Sequence, residues 1–144
     1  MQLLNLFISF QGRIGRAQFW LANFVFAAVF LVGWLIDHFA QSYYVALAIT
    51  LLVYLPCAVS AVAVGIKRLQ DRNRNRLWLL VFYLVPVLTF ALAGLFEGGM
   101  IQSVLSSVGL VVSIWALIEL GALRGSIGAN PYGPDPVAPK PAQH

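Results

Sequence analysis

Four long apolar runs leave this chain few folds to choose from: Phe19 to Ile36, Tyr43 to Ile66, Leu77 to Phe96 and Ile101 to Leu123. The shortest has eighteen residues, which at ~1.5 Å per residue makes roughly 27 Å of helix, about the thickness of a bilayer's hydrocarbon core. A water-soluble core would show striped or alternating apolar positions, and these runs show neither. Charged residues make up only 10% of the chain and apolar ones 60%, against roughly 25% and 45 to 50% in an ordinary soluble domain. Lipid is therefore the expected solvent. The connections Asp37 to Ser42 and Glu97 to Met100 are short, which forces the helices they join to run antiparallel. The sequence predicts an all-α, polytopic membrane protein, a four-helix transmembrane bundle of two antiparallel hairpins. Residues 1–129 form its single membrane domain.

Direction follows from where the positive charge lies, because cytoplasmic segments keep lysine and arginine while translocated ones lack them. Arg13 and Arg16 precede the first span, and Lys67, Arg68, Arg72, Arg74 and Arg76 separate the second from the third. Arg124 and Lys140 follow the fourth, which accounts for all nine basic residues. Both termini and the central loop are expected in the cytoplasm. Arg13, Arg16 and the apolar run after them also resemble a signal peptide, but no small-residue cleavage site follows, so the first span is expected to be retained. In the first ten residues, Gln2, Asn5 and Ser9 share one helical side and Leu3, Leu4, Phe7 and Phe10 surround the other. This reads as a short interfacial helix, with a frayed apolar end as the alternative. Residues 130–144 hold five of the seven prolines and read as a Pro-rich cytoplasmic tail without a packed core.

Several chemistries have little to stand on. Cys57 is the single cysteine, and His38 and His144 lie too far apart in the topology to share an ion, so neither metal nor cofactor is expected. Catalysis needs a nucleophile with its base, a metal or paired carboxylates, and only Asp71 and Glu119 could meet; no enzyme activity is expected. Pro56 and Pro86 fall near the middle of the second and third spans and should kink both. Paired interrupted helices suggest a small transporter or a transporter accessory subunit, although neighbouring helices can equally satisfy the freed carbonyls. Ala61 with Gly65, and Gly109 with Ser113, lie four apart and allow close helix approach, within the bundle or between copies in a homodimer. Glu119 is the one ionisable residue inside a predicted span, close to the cytoplasmic interface. Arg124 is five residues away and off its face, so the expected partner is an arginine near the start of the first span or in the central loop, with Arg16 and Arg68 the leading candidates and interfacial water the alternative.

The densest chemistry lies in Lys67-Arg68-Leu69-Gln70-Asp71-Arg72-Asn73-Arg74-Asn75-Arg76. These charges fix topology, and at the membrane surface they also face anionic headgroups. Nucleic acid is not an expected partner, because no soluble fold adjoins the loop to position it. Together with Gly12-Arg13-Ile14-Gly15-Arg16, Phe19-Trp20 and Gly128-Ala129-Asn130-Pro131-Tyr132-Gly133-Pro134-Asp135-Pro136, the stretch beginning Lys67-Arg68-Leu69-Gln70-Asp71-Arg72 resembles domain-of-unknown-function family 805, the YhaH-like bacterial inner-membrane proteins. The resemblance covers nearly the whole chain and implies an inner-membrane location and the same helical architecture, without an established activity. Gln70 stands where the family usually has histidine, and Pro131 where an arginine commonly follows the asparagine.

All three motifs fall on the cytoplasmic side. The expectation is one polar cluster there, with Asp71, Glu119 and Asn130 holding arginines in place. Arg13, Arg16, Lys67, Arg68 and Arg72 are the candidates to bind a phosphate, that of an anionic lipid first, or a membrane-protein partner.

Overall fold

The computed structural model describes residues 3–137, so the expectations placed on Gln2, Lys140, His144 and the end of the Pro-rich tail lie outside the described residues. Within that range it is all-helical apart from one isolated bridge between Asn130 and Gly133. A short α1 (Leu3–Ile8) is followed by α2 (Arg16–Ala40), α3 (Tyr43–Asp71), α4 (Leu80–Ala93) and α5 (Gly99–Ala122). Three of them, α2, α3 and α5, are long and apolar enough to cross a membrane, and α4 is shorter.

The helices overrun the apolar stretches that announce them, because hydropathy marks the oily segment and not where the backbone stops coiling. The Gly15 amide donates to the Gln18 side chain at 3.2 Å, so α2 begins at Arg16 instead of Phe19. Its far end carries Asp37 and His38 and stops at Gln41, which adopts the left-handed conformation with φ 47°. The end of α3 matters more for function. Asn73 takes φ 52°, its amide donates to the Gln70 carbonyl, and the Arg74 amide reaches back to the Leu69 carbonyl at 2.9 Å. These two bonds make a Schellman stop with asparagine in the left-handed position. The helix therefore runs five residues past Ile66, and Lys67, Arg68 and Asp71 lie on its last turns instead of in a loop.

Each midspan proline sits just after a turn of π-helix, Thr50–Tyr54 before Pro56 and Leu80–Leu84 before Pro86. Proline lacks an amide hydrogen and its ring collides with the carbonyl four residues back, so the chain widens locally to relieve both problems. A third π turn, Ile118–Ala122, ends α5 and has no proline.

The small-residue pairs pack inside the bundle. A Cβ added at Gly65 would meet the Tyr83 hydroxyl at 3.0 Å and the Leu79 side chain, while the same hydroxyl donates to the Ala61 carbonyl. At Gly109 it would lie 2.6 Å from the Thr89 hydroxyl and 3.1 Å from the Phe90 ring. Thr89 has little room to retreat, because its hydroxyl donates to the Val85 carbonyl at 2.9 Å. Lipid supplies no hydrophobic drive between helices, so this close approach is what holds α4 against α5. Gly109→Ala should cost about 1–3 kcal/mol by overpacking, read as a lower thermal midpoint in detergent; an unchanged midpoint would show that the seam yields.

Packing is uneven along the bundle. The main buried cluster joins Leu6, Ile14, Phe19, Phe26, Val64, Leu69, Leu79, Phe82 and Leu120, all near the end where α2 begins and where α3 and α5 finish. Away from it, large apolar side chains such as Phe24, Leu52 and Val111 stand exposed on every long helix, as a lipid-facing surface requires.

Candidate functional site

Asp71 is the centre of the densely packed end. It is 2% exposed, and its carboxylate accepts from two buried guanidinium groups: Arg13 Nε at 3.1 Å on one oxygen and Arg68 Nη1 on the other. A buried carboxylate and two buried cations would be costly without further partners, since desolvation outweighs the attraction of an incomplete ion pair. Carbonyl groups complete the set. Arg13 donates to the carbonyls of Ser126 and Gly128, both at 2.6 Å, and to that of Gly133 at 3.2 Å. Arg68 donates to those of Ile14, Leu120 and Leu123.

These acceptors are not scattered. A helix leaves its last four carbonyls unbonded, and its C-terminus carries partial negative charge. At the end of α5, Arg68 takes the Leu120 and Leu123 carbonyls, the Trp20 indole takes that of Gly121 at 3.2 Å, and Arg16 takes that of Ala122 at 3.1 Å. Lys67 does the same for α1, donating to the carbonyls of Asn5, at 2.8 Å, and Leu6. The basic residues of two motifs thus cap helices from neighbouring elements. Leu6 is buried and the Phe7 ring meets Phe26 edge-on at 5.7 Å, so α1 is pinned to the bundle. The polar and apolar sides read from sequence miss Leu6.

The third motif closes the arrangement. Ser126 donates to the Asp71 carbonyl from its amide at 2.8 Å and from its hydroxyl at 3.0 Å, and Asn130 reaches Gln70 and Ser126 through its side-chain amide, each at 2.9 Å. Asn130 and Gly133 exchange backbone bonds across Pro131 and Tyr132, so the turn keeps its shape with proline in place of arginine. Asp135 accepts from the Val137 and Gly128 amides, which lower its carboxyl pKa from the ordinary value. Residues 130–137 therefore fold back onto the site, tied to it through Asn130 and the Gly133 carbonyl.

The single cluster expected from sequence is three separate arrangements. Arg13, Arg68 and Asp71 meet directly and Asn130 joins them through Gln70 and Ser126, whereas Lys67 serves α1. Glu119 pairs with Arg72 at 3.0 Å and, more loosely, with Arg74 at 3.6 Å; both belong to the central basic segment, and the two leading candidates, Arg16 and Arg68, are corrected. The reason is the extension of α3. While it remains helical, Arg68 faces inward, three residues from Asp71, and Arg72 at the helix cap is the first arginine that reaches Glu119. Gly125 and Ser126, which frame Arg13 and Asp71, escaped the sequence reading: one contributes space, and the other mainly a backbone amide and a hydroxyl aimed at main-chain atoms.

Two cavities open beside these groups. One, of about 130 Å³, is lined by Gly15, Arg16, Arg68, Asp71, Arg124 and Asp135. The other, of about 160 Å³, lies between Leu69, Arg74, Trp78, Phe82, Trp115 and Glu119.

Known proteins add a lineage to this geometry. The chain is 29% identical over 136 residues to "Uncharacterized protein YiiR" of Escherichia coli strain K12, covering 94% of this chain and 90% of that protein. The protein of the same name in Escherichia coli O157:H7 matches to the same extent. No solved structure matches. The matching family pattern spans residues 7–134, which takes in every member of the Asp71 cluster from Arg13 to Gly133, and the chain belongs to that family, described as "Protein of unknown function (DUF805)".

Proposed function

We propose that this is a non-catalytic, four-span protein of the bacterial inner membrane, with two antiparallel hairpins and with its termini and basic end in the cytoplasm, that binds a phosphate of anionic lipid at that end. The observation that supports this reading is a division among its cations. Arg13, Lys67 and Arg68 are buried and committed to carbonyls and Asp71. Arg16 and Arg124 are exposed and flank the 130 Å³ cavity. Arg16 uses one nitrogen for the Ala122 carbonyl, and the Arg124 guanidinium has no hydrogen-bond partner among the described residues. The role first given to five basic residues therefore narrows to Arg16 and its new companion Arg124, with Arg68 and Asp71 forming the floor. Among the described residues, the basic end carries eight cations against three carboxylates, a surplus that attracts anionic headgroups.

The test is native mass spectrometry of protein released from nanodiscs of equimolar phosphatidylglycerol and phosphatidylethanolamine. Arg16→Gln with Arg124→Gln should lower retained phosphatidylglycerol about thirtyfold, the scale of two surface cations at roughly 1 kcal/mol each. Equal retention would overturn the lipid reading and turn attention to a protein partner. The transport reading draws on the paired π turns, but no charged side chain lies beside Pro56 or Pro86 in the sequence to line a polar route.

A further inference from the structure

The second cavity has a different chemistry from the first. Its walls are the rings of Trp78, Phe82 and Trp115, packed against one another with centroids 5.2–5.8 Å apart. Glu119 and Arg74 stand at its polar side. In Glu119, Oε1 accepts both bonds from Arg72, and Oε2 has no hydrogen-bond partner among the described residues. Arg74 is half exposed and lies 3.6 Å from the same Oε1, too far for a hydrogen bond, which leaves its guanidinium donors available. The volume of about 160 Å³ far exceeds the roughly 10–15 Å³ that one water needs.

An open carboxylate oxygen beside aromatic faces suits an ammonium group, which gains both a charge-assisted hydrogen bond and attraction to the ring quadrupoles. A guanidinium at the same mouth suits a phosphate. The two together complement a zwitterion, not a simple anion. Below the cavity, Trp115 continues into a stripe of exposed apolar residues on α5, Val111, Ile114 and Ile118, spaced to lie on one helical face. That stripe fits an acyl chain, and tryptophans belong at this depth, where headgroup meets hydrocarbon.

We infer that the cleft between α4 and α5, bounded by Glu119, Arg74, Trp78 and Trp115, is a binding site for a zwitterionic phospholipid. The ammonium sits at Glu119 Oε2 and the aromatic walls, and the phosphate at Arg74. The site shares no residue with the Arg16–Arg124 cavity and does not depend on that cavity's role.

The same equimolar nanodiscs test it. The parent should retain phosphatidylethanolamine above its share of the membrane. Arg74→Gln and Trp115→Leu are changes at exposed positions that spare the Arg72–Glu119 pair, and each should lower that retention about fivefold, the scale of one exposed cation–π contact or one surface cation at roughly 1 kcal/mol. Arg16→Gln with Arg124→Gln should leave it unchanged while reducing phosphatidylglycerol, so the two proposals fail separately. Retention of phosphatidylethanolamine in proportion to its abundance, or equal retention by the parent and both single variants, would overturn the site.

Discussion

Asp71→Asn should be the most damaging single-atom change in this chain, with an expected loss of about 3–5 kcal/mol, the cost of removing one partner from a buried ion network. Asparagine keeps the shape but removes the charge that faces Arg13 and Arg68, both nearly or fully buried. Neither arginine can escape to water, because each is tied to carbonyls from other elements: Arg13 to the loop at Ser126 and Gly128, Arg68 to the end of α5. Two like charges would then face one another across a neutral amide. The expected readout in detergent is a large drop in thermal midpoint, with faster proteolysis of the loop after α5, since Ser126 is bonded to the Asp71 backbone. A variant as stable as the parent would mean that the carbonyls alone neutralise the arginines. Glu119→Gln is a useful contrast: Arg72 keeps its bond to the Arg124 carbonyl and is part-exposed, so its loss should be well under half as large.

Much of this end of the molecule was legible in the sequence, for a reason that can be traced. Charged residues are so rare here that three separated motifs carrying Arg13, Arg68, Asp71 and Asn130 had few places to go, and the topology brought them to one end. Which arginine meets which carboxylate was not legible. That choice depends on where α3 stops, and the stop is a backbone event, the left-handed Asn73, hidden behind a run of polar residues that reads equally as loop. Moving the helix end from Ile66 to Asp71 turns Arg68 inward and gives Glu119 to Arg72. The use of arginines as helix caps was also invisible, because their acceptors are main-chain carbonyls that any residue at 120 to 123 would supply. The aromatic walls of the α4–α5 cleft were lost inside two apolar runs. There Trp78 and Trp115 look like other lipid-facing residues until the third π turn sets Glu119 beside them.

Gly125 illustrates the limit most sharply, and the Gly125→Ala variant gives the second large effect. The glycine does not adopt a left-handed backbone, so alanine carries no conformational penalty there. Its role is space. A Cβ at this position would lie 2.5 Å from Asp71 Cγ and 2.7 Å from Oδ1, and closer still to Oδ2. Elsewhere such a clash is relieved by a side chain swinging away. Here the carboxylate is clamped by Arg13 on one oxygen and Arg68 on the other, so the methyl group can be admitted only by breaking an ion pair or by lifting the loop from α3. Lifting the loop would also strain the two Ser126 bonds to the Asp71 carbonyl. The expected cost is about 3 kcal/mol, at the upper end of overpacking penalties. Gly128→Ala would meet no atom but would face the positive φ of 77°, so it should cost less, on the order of 1 kcal/mol of backbone strain. The diagnostic measurement is a double-mutant cycle on thermal stability with Asp71→Ala, which removes the atoms that the new methyl would strike. If Gly125 exists to admit the carboxylate, Gly125→Ala should add almost nothing in the Asp71→Ala background, a coupling of about 2 kcal/mol or more. Additive losses would show that Gly125 acts through its backbone alone, and that the loop after α5 is held on α3 by something other than the fit around Asp71.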